Sequence, residues 1–266
     1  MPDVVILGCG YTGSRVARRF LDQRASVIVT TRTPSSLEEL AARGAKVLGF
    51  DSSAAGRLEI PEGALVLHSI PEHTPQLLAS LAGRPVRMVY LSTTGVYGAI
   101  RDVDETTLPA PGTDREKARL AAEEDVRSGP WSSLILRPAA IYGPDRGVHV
   151  AMREGRFRLA GAGANFVSRI HVDDLAAHVE AALLSELTGA YPVADELPCT
   201  SREIAEYCAK LFNLPMPISA PRDSLHETRW ADRRVDGRAI RSLLGINLRY
   251  PTYREGLAQA GLLSSV

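Results

Sequence analysis

The sequence predicts an α/β protein, a doubly wound parallel sheet with a small C-terminal lobe. Three observations predict it. Short apolar runs alternate with helical patterns through the first two-thirds of the chain. The strand-like runs are near-continuously apolar, as expected where helices cover both faces of a sheet. The stretches between them are long enough for helical crossovers, which join parallel strands.

The elements follow from these local patterns. Strands are expected over 3–7, 26–31, 45–50, 64–69, 86–91 and 132–137, with helices near 12–22, 35–43, 74–82 and 114–127. After about residue 144 the pattern changes. A glycine-rich stretch, Ala160-Gly-Ala-Gly-Ala164, precedes Arg169-Ile-His-Val-Asp-Asp174, where Asp173 is placed to cap a helix around 174–185. A strand near 189–193 returns, followed by a helix near 201–211, a turn with Pro215, Pro217 and Pro221, and helices near 236–244 and 252–261. Residues 1–266 read as a single domain, with about 144–170 and 194–250 contributing a small substrate lobe. Such a lobe would lie over the carboxyl edge of the sheet, where open α/β sheets hold ligands.

Bulk properties narrow the function. Lys and Arg number 31, as do Asp and Glu, so the formal charge is zero; nucleic-acid binders usually carry a basic excess. Cys9, Cys199 and Cys208 form no C-x-x-C pair, which leaves a zinc site, a redox motif or a disulfide framework without support. The chain starts directly with a strand, and no apolar run reaches transmembrane length. These features read as a cytoplasmic protein with a small-molecule substrate and neither nucleic-acid nor membrane partners.

Gly8-Cys-Gly10-Tyr-Thr-Gly13 is a G-x-G-x-x-G between a strand and a helix, with a second strand following on schedule. This is the dinucleotide-binding context of a Rossmann fold. Gly8 permits a tight turn, Gly10 lets the backbone approach a pyrophosphate, and Gly13 allows close helix–strand packing. The helix opening at Tyr11 and Thr12 offers free N–H groups and a partial positive charge. A glycine-rich turn without a ligand is the bland alternative. The second strand ends at Arg32, where NAD binders carry an acid for the ribose 2′-hydroxyl; a base suits the 2′-phosphate of NADP instead. Thr31 and Thr33 could add hydroxyl contacts, and Arg15 lies nearby in the first helical turns. NADP is therefore expected over NAD. Asp51, at the end of the third strand, reads equally as an adenine contact and as a turn-forming Asp.

Four further motifs follow: Leu91-Ser-Thr-Thr-Gly-Val-Tyr-Gly98, Leu136-Arg-Pro-Ala-Ala-Ile-Tyr-Gly-Pro144, Arg169-Ile-His-Val-Asp-Asp174 and Arg249-Tyr-Pro-Thr-Tyr-Arg-Glu-Gly-Leu257. Together they resemble the short-chain dehydrogenase/reductase superfamily, in its extended, epimerase/dehydratase-like branch. The resemblance implies that Thr93 is the hydroxyl that hydrogen-bonds the substrate oxygen as charge develops there. It sets Tyr97, Tyr142 and His171 near the substrate cleft, Pro138 beside the nicotinamide, and Ser69 along the cofactor ribose. The C-terminal lobe, through which the family often binds nucleotide-sugars, carries Arg222, Arg229, Arg233, Arg234, Arg238 and Arg241, and an arginine there, with Arg234 as the candidate, could hold an anionic substrate. Charge pairing with Asp223, Asp232 and Asp236 is the plainer reading of the same cluster. The resemblance also allows a homodimer through the helix after the fifth strand, although that helix is highly charged here.

The chain departs from the family at its central motif, Y-x-x-x-K, whose Tyr is the acid/base and whose Lys sits one helical turn later on the same face. No tyrosine occurs between Gly98 and Ser133. Matching on Lys117 puts Thr113 at the Tyr position; matching on Leu120-Ala-Ala-Glu-Glu124 puts Arg115 there and Arg119 at the Lys. The second register aligns more residues. Arg115, Lys117 and Arg119 also read as a solvated face paired with Glu116, Glu123 and Glu124. Tyr97 is the first substitute for the missing acid, ahead of Tyr142, His171 and His149. Three functions therefore compete, in this order: an NADP(H)-dependent oxidoreductase or epimerase-like enzyme on a small carbonyl or hydroxyl metabolite, a non-catalytic NADP(H)-binding redox sensor or scaffold, and a fold turned to a different ligand.

Overall fold

The structure, a computed structural model, describes residues 2–52, 58–81, 84–225 and 231–263. Seven strands form one sheet: β1 (Val4–Leu7), β2 (Val27–Thr31), β3 (Lys46–Gly49), β4 (Ala64–His68), β5 (Pro85–Leu91), β6 (Ser132–Pro138) and β7 (Gly189–Val193). Their order is β7-β6-β5-β4-β1-β2-β3, and every pairing is parallel. The order reverses between β1 and β4, which opens a crevice at the carboxyl ends of those strands.

The apolar strands explain both layers. Side chains alternate faces along a strand. Val4 and Ile6 of β1 join one core, and Val5 and Leu7 join the other. The first core is covered by α1 (Tyr11–Asp22) and the second by α3 (Pro75–Ser80) and α4 (Asp114–Arg127). On α1, Val16, Ala17 and Phe20 face inward, the spacing of one helical face. That face also meets α6 (Val172–Leu183), where Arg15 pairs with Asp173 at 3.2 Å and Arg19 with Glu180.

A third apolar cluster unites α5 (Val148–Arg153), α7 (Ser201–Phe212) and α9 (Tyr253–Leu263) through Met152, Ile204, Cys208 and Leu257. All three cysteines are buried and free. Short two-residue and three-residue ladders tie the later segments together. Ala140–Tyr142 pairs in parallel with Arg169–His171, and Asp102–Val103 with Arg234–Val235.

Local chemistry shifts some expected elements. The helix expected near 35–43 starts as a 3₁₀ turn, Pro34–Leu37, and only then becomes α2 (Glu38–Ala42). Asp173 does not cap α6. The cap is the Nδ1 of His171, which accepts the Asp173 N–H at 3.2 Å. The helix expected from 236 is α8 (Arg238–Leu244), because Asp236 stays outside it and accepts the Arg238 N–H at 2.9 Å.

Candidate functional site

The phosphate-type loop is built as its glycines require. Gly8 has φ +79° and donates its N–H to Thr30 Oγ1 at 3.0 Å. A Cβ there would lie 2.8 Å from Ile70 Cγ1. A Cβ on Gly13 would lie 3.0 Å from Ile6, so this glycine lets α1 settle onto β1. Gly10 differs: a Cβ there would meet nothing within 4 Å among the described residues. Gly10 is the N-cap of α1, no described side chain caps the helix, and its first turn holds no acid. Tyr11 and Thr12 thus open a helix whose first N–H groups have no side-chain cap among the described residues. A cavity of about 250 Å³ lies there, walled by Gly10, Ser14 and Arg18 on one side and by Ser36 and Leu37 on the other.

Three arginines approach this corner, and two are committed. Arg15 donates to the Tyr11 carbonyl at 2.9 Å besides pairing with Asp173. Arg18 grips Glu39 through Nε at 3.0 Å and Nη2 at 2.7 Å, and these hydrogen bonds hold the Glu39 carboxyl below its ordinary range. Arg32 is exposed just past β2, with no ion pair among the described residues. Thr31 Oγ1 accepts the Thr33 N–H at 3.2 Å, so these hydroxyls shape the turn that presents Arg32. Asp51 is exposed beyond β3. Ser69 extends β4 by donating its N–H to Leu7 O at 2.9 Å. Pro138 is the buried last residue of β6. The Tyr11 ring lies between Arg15, 4.0 Å from its centroid, and Arg146, at 5.6 Å. A Cβ on Gly143 would lie 2.5 Å from the Tyr11 hydroxyl, so Gly143 makes room for that ring.

Thr93 is half-buried at the end of β5 and caps the 3₁₀ turn Thr94–Tyr97, accepting the Gly95 N–H at 3.1 Å. Its own O–H remains available to donate. Tyr97, four residues on, is fully buried. Its hydroxyl receives Arg137 Nη1 at 3.1 Å, and burial pushes its acidity further from neutrality. Arg137 in turn holds Glu123 at 3.0 and 2.7 Å. Glu123, fully buried, also receives Ser92 Oγ at 2.5 Å and Arg127 Nη2 at 2.8 Å. This network fastens the turn to α4 and argues against Tyr97 as the acid/base. Tyr97→Phe is expected to leave the Arg137 Nη1 donor unmet and to cost about 1–2 kcal/mol of stability, read as a lower urea midpoint with unchanged cofactor affinity.

On α4, Thr113 and Glu116 form a reciprocal capping box, which makes Thr113 the N-cap of the helix. Arg119 points at the sheet, with Nη1 2.9 Å from the Tyr90 hydroxyl. Arg115 and Lys117 are exposed, and Lys117 lies 3.5 Å from Asp114. The register that puts Arg119 at the Lys position is the one that brings a cation against the sheet. Close by, His68 is fully buried at the end of β4. Burial, and then the Arg119 charge, pull it down to about 3.

Tyr142, His171 and Arg234 do not converge on one cleft. Tyr142 is buried and donates to Thr252 O at 3.2 Å. His171 is fully buried, 3.9 Å from the Tyr250 ring and 5.2 Å from Tyr142, and burial pulls it down to about 4, so it stays neutral near pH 7. Both anchor the α9 end of the chain. Arg234 stacks on Phe166 at 3.7 Å, elsewhere. His149 is buried against Phe212. Of the other C-terminal arginines, Arg233 binds the carbonyls of Gly98 and Ile100, Arg238 pairs with Asp236, and Arg241 reaches Ala194 O at 2.8 Å. Arg229 and the Arg222 side chain lie outside the described residues.

No family model matches the chain. It is 30% identical over 169 residues to the 3-diazoavenalumate denitrifying reductase of a Streptomyces species; the match takes in 57% of this chain and 55% of that protein. Among solved structures, a conserved protein of unknown function from Silicibacter pomeroyi DSS superposes with a TM-score of 0.83 at 27% identity, covering 100% of both chains. MoeE5, solved with UDP-glucose and NAD, superposes with a TM-score of 0.82 at 20% identity, covering 99% of this chain and 98% of that one. The chain thus shares its parallel-sheet Rossmann fold with these solved structures over nearly their whole length, and it spans about half the length of the reductase it matches.

Proposed function

We propose that this protein binds NADP(H) at the α1 loop and acts as an oxidoreductase on a small carbonyl or hydroxyl metabolite. The observation that carries the cofactor assignment is the uncapped N-terminus of α1 behind Gly10, opening on the cavity described above; Arg32, exposed just past β2, has no ion pair among the described residues. Pyrophosphate suits free N–H groups and a helix dipole. With Arg15 and Arg18 held by acids, Arg32 is the guanidinium left to meet a 2′-phosphate. When bound, the cofactor supplies hydride chemistry. The chain supplies orientation and a polarising hydroxyl, Thr93. Segments 144–170 and 194–250 then furnish the substrate side.

Fluorescence titration is expected to show NADPH binding about tenfold tighter than NADH, a difference of about 1.4 kcal/mol. Arg32→Ala is expected to bring the two together. Equal affinities in the unaltered protein would remove the NADP assignment. Turnover is tested by NADPH oxidation against a panel of aldehydes, ketones and diazo compounds, the last because the Streptomyces relative is named a denitrifying reductase. Thr93→Ala is expected to lower turnover about 10²-fold, the usual loss for one preorganised donor, with the cofactor Kd unchanged.

A second reading, a cofactor-binding sensor or scaffold without turnover, is favoured by one observation. Tyr97 is locked in the buried network, and α4 offers arginine where the family places its acid. Tight NADPH binding with no turnover on the panel, together with a partner captured only in the presence of cofactor, would select it.

A further inference from the structure

A second, larger cavity of about 650 Å³ lies away from the glycine loop, between residues 102–104, 195–198 and 234–241. Neither Thr93 nor Pro138 lines it, nor does any residue walling the α1 cavity. Its base includes Val103 and Val235, the inner members of the short parallel ladder described above. Its walls carry five acids, Asp102, Asp104, Asp195, Glu196 and Asp236, against three arginines.

The pairing among these groups leaves one acid over. Arg234 lies 3.7 Å from Asp102, Arg241 lies 3.6 Å from Glu196, and Arg238 chelates Asp236. Asp104 is satisfied by the hydroxyls of Thr106 and Thr107 at 2.8 and 2.9 Å. Asp195 remains. It is 3% exposed; its Oδ1 takes a long 3.4 Å bond from the Leu197 N–H, and its Oδ2 has no hydrogen-bond partner among the described residues. A buried oxygen without a partner costs stability unless something fills the position. Every arginine of the wall is already paired, so an anion finds no free cation here. No group of three or more potential metal ligands occurs among the described residues.

We infer that this cavity binds a small molecule through a protonated amine, with Asp195 as its counterion. The alkyl part of the ligand would lie on Val103 and Val235, and the paired acids and arginines of the rim would bond to its polar groups. The site shares no lining residue with the α1 cavity and does not depend on its assignment; it names an amine-bearing ligand within the lobe segment 194–250.

Asp195 also gives the site a pH signature. Burial pushes its carboxyl up to about 8, with Asp174 adding to the rise and Arg169 and Arg241 opposing it. Tyr142 and Cys199, whose acidities Asp195 also lowers, stay protonated throughout. An ammonium prefers the ionised carboxylate. Binding below pH 8 must therefore release a proton from Asp195, and affinity should rise by up to about tenfold per pH unit between pH 6 and 8. An uncharged ligand carries no such linkage.

The test is calorimetric titration of the whole protein with 1,4-diaminobutane and with 1,4-butanediol, which differ in the amine alone. The diamine is expected to bind at least about tenfold tighter, to bind more tightly at pH 8 than at pH 6, and to release protons in buffers of different ionisation enthalpy. Asp195→Asn is expected to abolish both the preference and the linkage. Asp102→Asn, at the exposed rim, is expected to change the diamine Kd by less than about twofold. Thermal midpoints of both variants verify folding. Equal binding of diol and diamine, no saturable diamine binding, or an unchanged diamine affinity in folded Asp195→Asn would each overturn the inference.

Discussion

Glu123→Ala is expected to destabilise the protein by about 3–5 kcal/mol, the range for removing one partner from a buried ion pair. Glu123 is fully buried and receives four donors from three arginine or serine side chains across β5, β6 and α4, as given above. Removing it strands the Arg137 guanidinium, itself 4% exposed, beside the Tyr97 ring. Glu123→Gln keeps the shape but sets an amide against arginine donors, so it should lose most of the same stability. Chemical denaturation reads both. A loss below about 1 kcal/mol for the alanine variant, the scale of an exposed pair, would show that solvent reaches the network. Because Tyr97 hangs from Arg137, the alanine variant should also loosen the turn that carries Thr93.

Gly10→Val is expected to abolish measurable dinucleotide binding while leaving the fold intact. The Gly10 backbone has φ −97°, accessible to other residues, and the space before it is open, so the stability change should stay within about 0.5 kcal/mol. The branched side chain would occupy the position a pyrophosphate needs, and a rise in NADPH Kd of at least about 10²-fold, or about 2.7 kcal/mol, is expected. Gly8→Ala is the contrasting variant. Its φ of +79° and the 2.8 Å approach to Ile70 make it lose stability as well as binding. If Gly10→Val bound NADPH normally, the cofactor would not lie at this helix.

The sheet was legible because its residues are apolar on both faces, and each strand announces itself without reference to its neighbours. The glycine loop was legible for a similar reason: Gly8, Gly10 and Gly13 answer to a local turn and a local helix. The 3₁₀ turn after Thr93 was legible as a motif, but the role of its tyrosine was not. The partners of Tyr97 arrive from far along the chain: Arg137 lies 40 residues later, and Glu123 is reached through it. No periodicity connects those three positions. Arg18 was overlooked because an arginine on an amphipathic helix looks like solvated surface; only α2 bringing Glu39 alongside puts it in the cavity wall. The resemblance sets His171 near the cleft, while the plainer reading of the residues is a buried histidine beside Asp173; in the fold it is buried, with Tyr142 and Tyr250 packed on it. Asp195 gave no signal at all, since its isolation depends on every neighbouring arginine having found another acid.

The lean of α1 on α6 sets an order of assembly during synthesis. Val16, Ala17 and Phe20 leave the ribosome with the first strand, but Leu175, Ala176 and Val179, in the same core, emerge about a hundred and sixty residues later. Arg19 waits 161 residues for Glu180. Until then the nascent chain carries an apolar helix face beside the loop that would hold the dinucleotide, a surface open to chaperones or to another unfinished chain. The corner proposed for the dinucleotide is written first and completed late, so a chain that stops short of α6 would be a hazard rather than a small working protein.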